Sequence, residues 1–255
     1  MQDKNKEKKS LKYWLLYCAL PVILLLIWQG ADSAGFIKPY TMPSPEAIVN
    51  VVIEYVENGQ LAGHIGISLV RVLEGFFIAL IAAFVLGISV ALSRNVEIFT
   101  DFVLQVLRPI PPIAWIPLAI LWFGIDEASK VYIIFLGAFF PIFVNIVDGI
   151  KNIDKKYYEL GAVYEVPKMD FIWHVIIPGA LPSIMTGVRI GLGSAWICVV
   201  AAEMIGATQG VGFMLSDGRS MSRPDVVVLG MLLVGIIGKF MDDFLVWLRN
   251  KIIVR

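Results

Sequence analysis

Charge is scarce in this chain, and histidine and cysteine are scarcer still. Cys18 and Cys198 are the two cysteines, and His64 and His174 the two histidines, in 255 residues. Two distant cysteines inside apolar runs build neither a disulfide framework nor a thiolate metal site, and both read as small core residues. No HExxH pair is present, which disfavours a zinc protease. No GxxxxGK[ST] phosphate loop occurs either, since GATQGVG at 206–212 lacks the lysine. Asp242 and Asp243 are adjacent, without the spacing of magnesium-binding aspartates in a prenyl transferase. Lys and Arg number 21 and Asp and Glu number 21, so net charge makes no case for nucleic acid. No internal repeat, low-complexity tract or second domain is evident.

What the sequence does have is apolar length. Hydrophobic residues make up 58% and charged residues 16%, with a mean hydropathy of +0.78, too apolar for a soluble domain of this size. A spanning helix needs about 20 apolar residues. Six candidates meet or approach that length: 13–30, 72–92, 102–123, 131–146, 184–205 and 226–247. The third is interrupted by Arg108, Pro109, Pro111, Pro112 and Pro117, and the fourth is short, so broken or tilted helices are expected there.

Orientation follows from Lys and Arg, which are retained on the cytoplasmic side of short loops. With the N-terminus inside, 13 basic residues fall inside: Lys4, Lys6, Lys8, Lys9, Lys12, Arg94, Lys151, Lys155, Lys156, Lys168, Arg249, Lys251 and Arg255. Only 4 fall outside: Lys38, Lys130, Arg219 and Arg223. Six spans with both termini cytoplasmic satisfy that ratio. This places a basic tail at 1–12, a membrane domain at 13–250 and a short cytoplasmic end at 251–255. The first apolar run has the basic head of a signal peptide, but Asp32 stands where cleavage wants a small residue, so it is read as a retained span. Between the first two spans, 43–63 has Ile48, Val51, Val52, Ile53 and Tyr55 at helical spacing and reads as an external amphipathic helix.

The longest internal loop, about 148–178, is where a partner has room to bind. Residues 157–164 are helix-compatible and Pro167 disfavours helix at Val166. A second apolar stretch, 171–177, ends at Pro178, giving a helix, a turn and a helix. This loop resembles the cytoplasmic signature of importer permeases: Glu-Ala-Ala, three residues, Gly, nine residues, Ile, one residue, Leu-Pro. Glu159 holds the Glu position, Leu160 and Gly161 the two alanines, and Glu165 the Gly. Val175 stands for the Ile, and Ile177-Pro178 for the Leu-Pro. With Glu165 in place of a flexible Gly, the break is expected to come from Pro167. Two further segments, LRPIPPIAWIPLAILWFGIDEASK at 107–130 and GVRIGLGSAWICVVAAEMIGATQGVG at 187–212, resemble permeases for nitrate, sulfonates and taurine. The similarity runs from about Pro43 to the C-terminus.

The resemblance implies an all-α membrane protein of six transmembrane helices, of the type I ABC importer permease kind, in the bacterial inner membrane. It implies a cytoplasmic coupling helix carrying Glu159, Leu160, Gly161, Ala162, Glu165, Pro167 and Pro178. It implies partners as well: a second permease subunit in a homodimer, two cytoplasmic ATPase subunits and an external solute-binding protein, besides membrane lipid. No cofactor is expected in this chain, because ATP and Mg would be bound by the ATPase, and the chain itself is expected to be no enzyme. The expected solute is small and anionic, like a sulfonate, nitrate or taurine. A thiamine-precursor pyrimidine, riboflavin or an aromatic acid is the alternative. A vitamin-capturing membrane component or an enzyme of lipid carriers is the reading from a different class, and either would lack the cytoplasmic signature.

Polar and aromatic groups within spans are costly and are candidates for the translocation route. Arg108 precedes Pro109 and would either satisfy carbonyls that the proline frees or attract an anion. Arg189 is close enough to the cytoplasmic side to snorkel. Glu203 needs a partner or a gating role, and Lys239 has Asp242 and Asp243 within one turn. Trp115 and Trp196 lie in apolar runs, where they would line a cavity or fill the core. Gly187, Gly191, Gly193, Ser194 and Ala195 suit a close-packed dimer or pathway surface.

Overall fold

The computed structural model describes residues 2–36, 38 and 40–253. Arg255 and the side chains of Lys4, Lys6, Lys8, Lys9 and Lys12 lie outside the described residues. The described chain is helical: α1 (Gln2–Ser33), α2 (Pro45–Glu57), α3 (Gln60–Leu92), α4 (Arg94–Leu107), α5 (Ile116–Phe123), α6 (Glu127–Lys151), α7 (Lys155–Val163), α8 (Lys168–Phe171), α9 (Ile177–Gly206), α10 (Val211–Ser220) and α11 (Pro224–Ile253). Five helices are long and apolar enough to cross a bilayer, and α4 with the Pro112–Phe123 segment makes a sixth, bent by 88°. That bend is where the sequence places its prolines. Pro109, Pro111 and Pro112 cannot donate to the preceding turn, and the helix gives way to turn bonds, from Ile110 N–H to Leu107 O, from Ala114 N–H to Pro111 O and from Ile116 N–H to Ile113 O.

Residues 1–61 and 215–231 form one unit. In α1, none of the apolar window 16–33 is buried. Cys18 is therefore exposed rather than a core residue, because no described residue buries that stretch of its helix. The amphipathic helix α2 is capped by Ser44, whose Oγ accepts Ala47 N–H at 3.1 Å, with Pro45 at its first turn. It buries Ile48, Val51 and Tyr55 and leaves Ile53 exposed. It stops at Glu57, short of the expected 63, because Gly59 takes a φ of +68° and breaks the helix. Arg223 binds Glu54 on α2 at 2.9 Å and Asp225 at 3.1 Å.

Residues 62–214 and 232–255 form the other unit, and its core is the α6–α9 pair. Small residues set their separation. A Cβ added at Gly187 would stand 2.6 Å from Asn145 Cβ, and one at Gly191 would stand 2.6 Å from Ile142 Cγ1. The stripe expected to serve a dimer or pathway is thus largely spent on α6, although Gly193 faces open space. Around it Ile134, Ile142, Ile146, Ala195 and Val199 are fully buried.

All five long helices overrun the expected apolar runs, α3 and α6 among them. α3 begins at Gln60 instead of 72, and α6 has 25 residues instead of 131–146. Buried polar groups with partners account for this. Ser129 Oγ donates to Asp126 O at 2.8 Å and Lys130 Nζ to Glu127 at 3.2 Å, so polarity at the end of α6 does not end the helix.

Candidate functional site

Three places hold the residues that chemistry would use. The first is the loop after α6. Asp154 caps α7 by accepting Lys156 N–H at 3.0 Å. α7 then ends in a closed turn: Val166 N–H reaches Gly161 O at 3.0 Å, and Glu165 N–H reaches Ala162 O at 3.2 Å. These are the paired bonds of a Schellman cap, and the residue at its left-handed position is Glu165, with a φ of +48°. The expectation that Pro167 alone makes the break is corrected here. Glu165 adopts the glycine conformation itself, at a cost of about 1–2 kcal/mol, and Pro167 then caps α8.

The second helix of the loop does not end at Pro178 as expected. Residues 172–176 are π-helical, and helix continues from Lys168 to Gly206. The wider turn, closed by Ile177 N–H to Ile172 O, lets the helix pass the donor that Pro178 lacks. α7 packs on this continuation. Tyr158 meets the Phe171 ring edge-on at 5.5 Å, and a Cβ on Gly161 would lie 2.7 Å from Phe171 Cε2. Burial raises the Tyr158 hydroxyl above its usual range. Tyr157, Leu160, Val163 and Tyr164 remain exposed, as do Glu159 and Ala162.

The second place is a cavity of about 410 Å³ at the proline bend, walled by α6 and α9. Arg108, Ile113, Phe140, Asn145, Ser194 and Ile197 are among its lining. The Arg108 guanidinium is exposed and makes no hydrogen bond or ion pair among the described residues; it does not satisfy the carbonyls near Pro109. Arg108 also borders a neighbouring cavity of about 200 Å³ lined by Glu97, Asp101, Asp148 and Lys151. Lys151 on α6 pairs with Glu97 on α4 at 2.6 Å.

The other pathway candidates lie elsewhere. Trp115 closes the short 3-10 turn before α5 and is partly buried against the core. Trp196 is buried, and its indole N–H donates to Val234 O on α11 at 2.9 Å. Arg189 has a carboxylate partner. Its Nε and Nη2 hold Asp242 on α11 at 2.5 and 2.7 Å, while Lys239 pairs with Asp243.

The third place is one the apolar runs did not reveal. Glu203, 1% exposed, accepts Arg71 Nη1 at 2.8 Å, Ser68 Oγ at 2.8 and 2.9 Å and Gly212 N–H at 2.9 Å. Arg71 grips Glu127 with Nε at 2.5 Å and Nη2 at 2.6 Å, and it donates to Gln209 O at 2.7 Å. Ser68 Oγ accepts Val211 N–H at 2.9 Å. Gly210 N–H donates to His64 Nδ1 at 3.0 Å, which requires the Nε2–H tautomer. Gly210 has a φ of +129°, and a Cβ there would fall on the Glu203 carboxylate. The ends of α3, α6 and α9 and the strap 207–212 are therefore one closed polar cluster with its charges paired. The signal for it was helical spacing upstream of 72: His64, Ser68 and Arg71 continue the face that Val72, Gly75 and Ala79 bury.

Comparison with known proteins follows the same architecture. Residues 61–253 match the family described as binding-protein-dependent transport system inner membrane component. A Bacillus subtilis chain named for aliphatic sulfonates transport is 38% identical over 94% of this chain and 87% of its own length. The taurine transport system permease protein of Escherichia coli is 33% identical over 86% of this chain and 82% of its own. The nitrate import permease protein of Synechocystis is 31% identical over 91% and 86%. Among solved structures, the inward-facing MetNI methionine ABC transporter shares the fold with a TM-score of 0.53 at 19% identity, covering 69% of this chain and 91% of that one.

Proposed function

The chain belongs to the binding-protein-dependent transport system inner membrane component family, and from that premise we propose that it passes a small organic or inorganic anion and that residues 155–178 are its contact with a cytoplasmic ATPase. It is a multi-pass inner-membrane permease subunit of an ATP-driven importer and not an enzyme; the ATPase is a separate chain, and an external binding protein is its other partner. ATP and magnesium belong to that ATPase. The anion reading rests on the sulfonate, taurine and nitrate names of its relatives. A homodimer of permeases encloses the route, and both termini are cytoplasmic, a reading that the basic-residue asymmetry supports.

The observation that carries the ATPase contact is the two-sided character of α7. One side, through Tyr158 and Gly161, rests on Phe171, at the root of the long helix that runs on to Gly206. The other side exposes Tyr157, Leu160, Val163 and Tyr164, aromatic and aliphatic surface on a rigidly capped helix of the kind a protein partner covers. Displacement of α7 by the ATPase is passed to α9 through Phe171, and α9 is packed on α6. In this alternating-access cycle, ATP-driven closure of the partners turns the cavity outward and hydrolysis resets it. The test is uptake by proteoliposomes holding the permease, its ATPase and its binding protein, with labelled ethanesulfonate, taurine, nitrate, riboflavin and benzoate. ATP-dependent accumulation of ethanesulfonate, taurine or nitrate is expected. Accumulation of riboflavin or benzoate alone would contradict the solute assignment.

A further inference from the structure

Arg108 is a charged side chain at a cavity that is otherwise apolar apart from Asn145, Ser194 and Cys198. Two other arginines on span helices have carboxylates: Arg71 has Glu203 and Glu127, and Arg189 has Asp242. Arg108 has none among the described residues, and the cavity at its side measures about 410 Å³, within the range of sites for small molecules. We infer that Arg108 is the head-group contact of an intramembrane anion site, which holds a small monoanion with a short apolar body. This rests on the anion reading above and adds the site and the shape of its ligand.

The site has the parts such a ligand needs. A guanidinium offers forked donors that match the oxygens of a sulfonate or carboxylate. Ser194 and Asn145 add neutral polar groups from α9 and α6, although Asn145 already donates to Pro141 O at 2.8 Å. Ile113, Ile190 and Ile197 supply apolar walls for an alkyl portion. The neighbouring cavity explains release. Arg108 borders it too, and there Glu97 is held by Lys151 and Arg94 while Asp101 and Asp148 have no cation partner among the described residues. An anion is thus attracted as far as Arg108 and repelled beyond it, while the carboxylates offer the guanidinium alternative partners when the anion leaves. A transport site must bind weakly enough to let go, and this juxtaposition supplies the competition.

The test uses the complete transporter in membranes, with Cys18→Ser and Cys198→Ala to remove native thiols and Ile113→Cys to report from the cavity wall. The reporter is treated with an anionic thiol reagent, methanethiosulfonate ethylsulfonate, and with a cationic one of similar size, methanethiosulfonate ethyltrimethylammonium. The anionic reagent is expected to react roughly tenfold faster. Added ethanesulfonate should slow it, and Arg108→Gln should bring the two rates together while Arg108→Lys preserves much of the bias. Equal rates with Arg108 present, or a bias that survives Arg108→Gln, would overturn the site. So would a reporter that reacts with neither reagent and instead cross-links to a second copy, since the cavity is then a subunit interface. The uptake panel separates the two claims. If the unmodified transporter accumulates anions and Arg108→Gln does so equally well, the site falls and the anion reading stands. If it accumulates none while the rate bias holds, the reading falls and takes with it the site's assigned ligand.

Discussion

Arg71 and Glu203 stand 132 positions apart in the chain and meet at 2.8 Å, both nearly fully buried. Each spends its remaining polar atoms on other elements, so the pair is the hub of the polar end of the bundle. Removing one partner from such a pair leaves an uncompensated buried charge, at a cost of about 3–5 kcal/mol. Arg71→Ala and Glu203→Ala should each lower stability by that order in mild detergent. The double variant should lose less than the sum, because the two share one interaction. Additive losses in thermal unfolding would contradict the hub.

Gly210 and Gly193 should respond oppositely to the same change. A methyl at Gly210 meets the Glu203 carboxylate, and its φ of +129° is hostile to a side chain. Gly193 is mid-helix with open space around its Cβ direction. Gly210→Ala is expected to destabilise by about 2 kcal/mol or more. Gly193→Ala is expected to be neutral or stabilising by about 0.5–1 kcal/mol from helix propensity. Melting curves of the two proteins side by side decide it.

Glu165→Gly should stabilise the α7 turn by about 1 kcal/mol, because the left-handed conformation no longer carries a Cβ. Hydrogen exchange at the amides of Glu165 and Val166 should slow or stay unchanged. Faster exchange would mean that the closed turn is not the resting conformation.

On the other unit, the hydrogen bond from Arg223 holds the Glu54 carboxyl below its ordinary value of 4.5. A depressed carboxylate stabilises the fold above its unfolded pKa and loses that contribution as pH falls through the folded one. The window is therefore below 4.5. Both side chains are substantially exposed, so the effect is under about 1 kcal/mol and weakens with salt. Protection of α2 amides, with the intrinsic pH dependence of exchange divided out, should fall below 4.5 in the native protein and show a flatter pH dependence in Glu54→Gln.

Much of this architecture is legible in the sequence because a bilayer demands apolar length, and length is local. The spans, the proline break after Arg108 and the frame of the 155–178 loop can all be located without coordinates. The failures share a cause. Ser68 and Arg71 look like the polar end of a span, yet they are interior because their partners lie on other helices, and no local pattern announces a partner 56 or 132 positions away; Ser129 and Lys130 are interior too, with partners within one turn. Gly187 and Gly191 read correctly as close-packing residues, but composition cannot say which helix they pack against. Glu165 is the reverse case. Its residue type argues against a left-handed turn, and the backbone bonds around it impose one.

The claim on which the mechanism depends is that α7 and its turn carry the ATPase signal. It is tested most directly by binding-protein-stimulated ATP hydrolysis in liposomes holding the assembled transporter, comparing Glu159→Ala with the native chain. Glu159 is exposed on α7, so the substitution is expected to leave the fold of this chain intact. The account predicts that stimulation by loaded binding protein falls by about tenfold while the subunits still co-purify, the loss of about 1.4 kcal/mol of coupling. Stimulation equal to the native transporter's would contradict it.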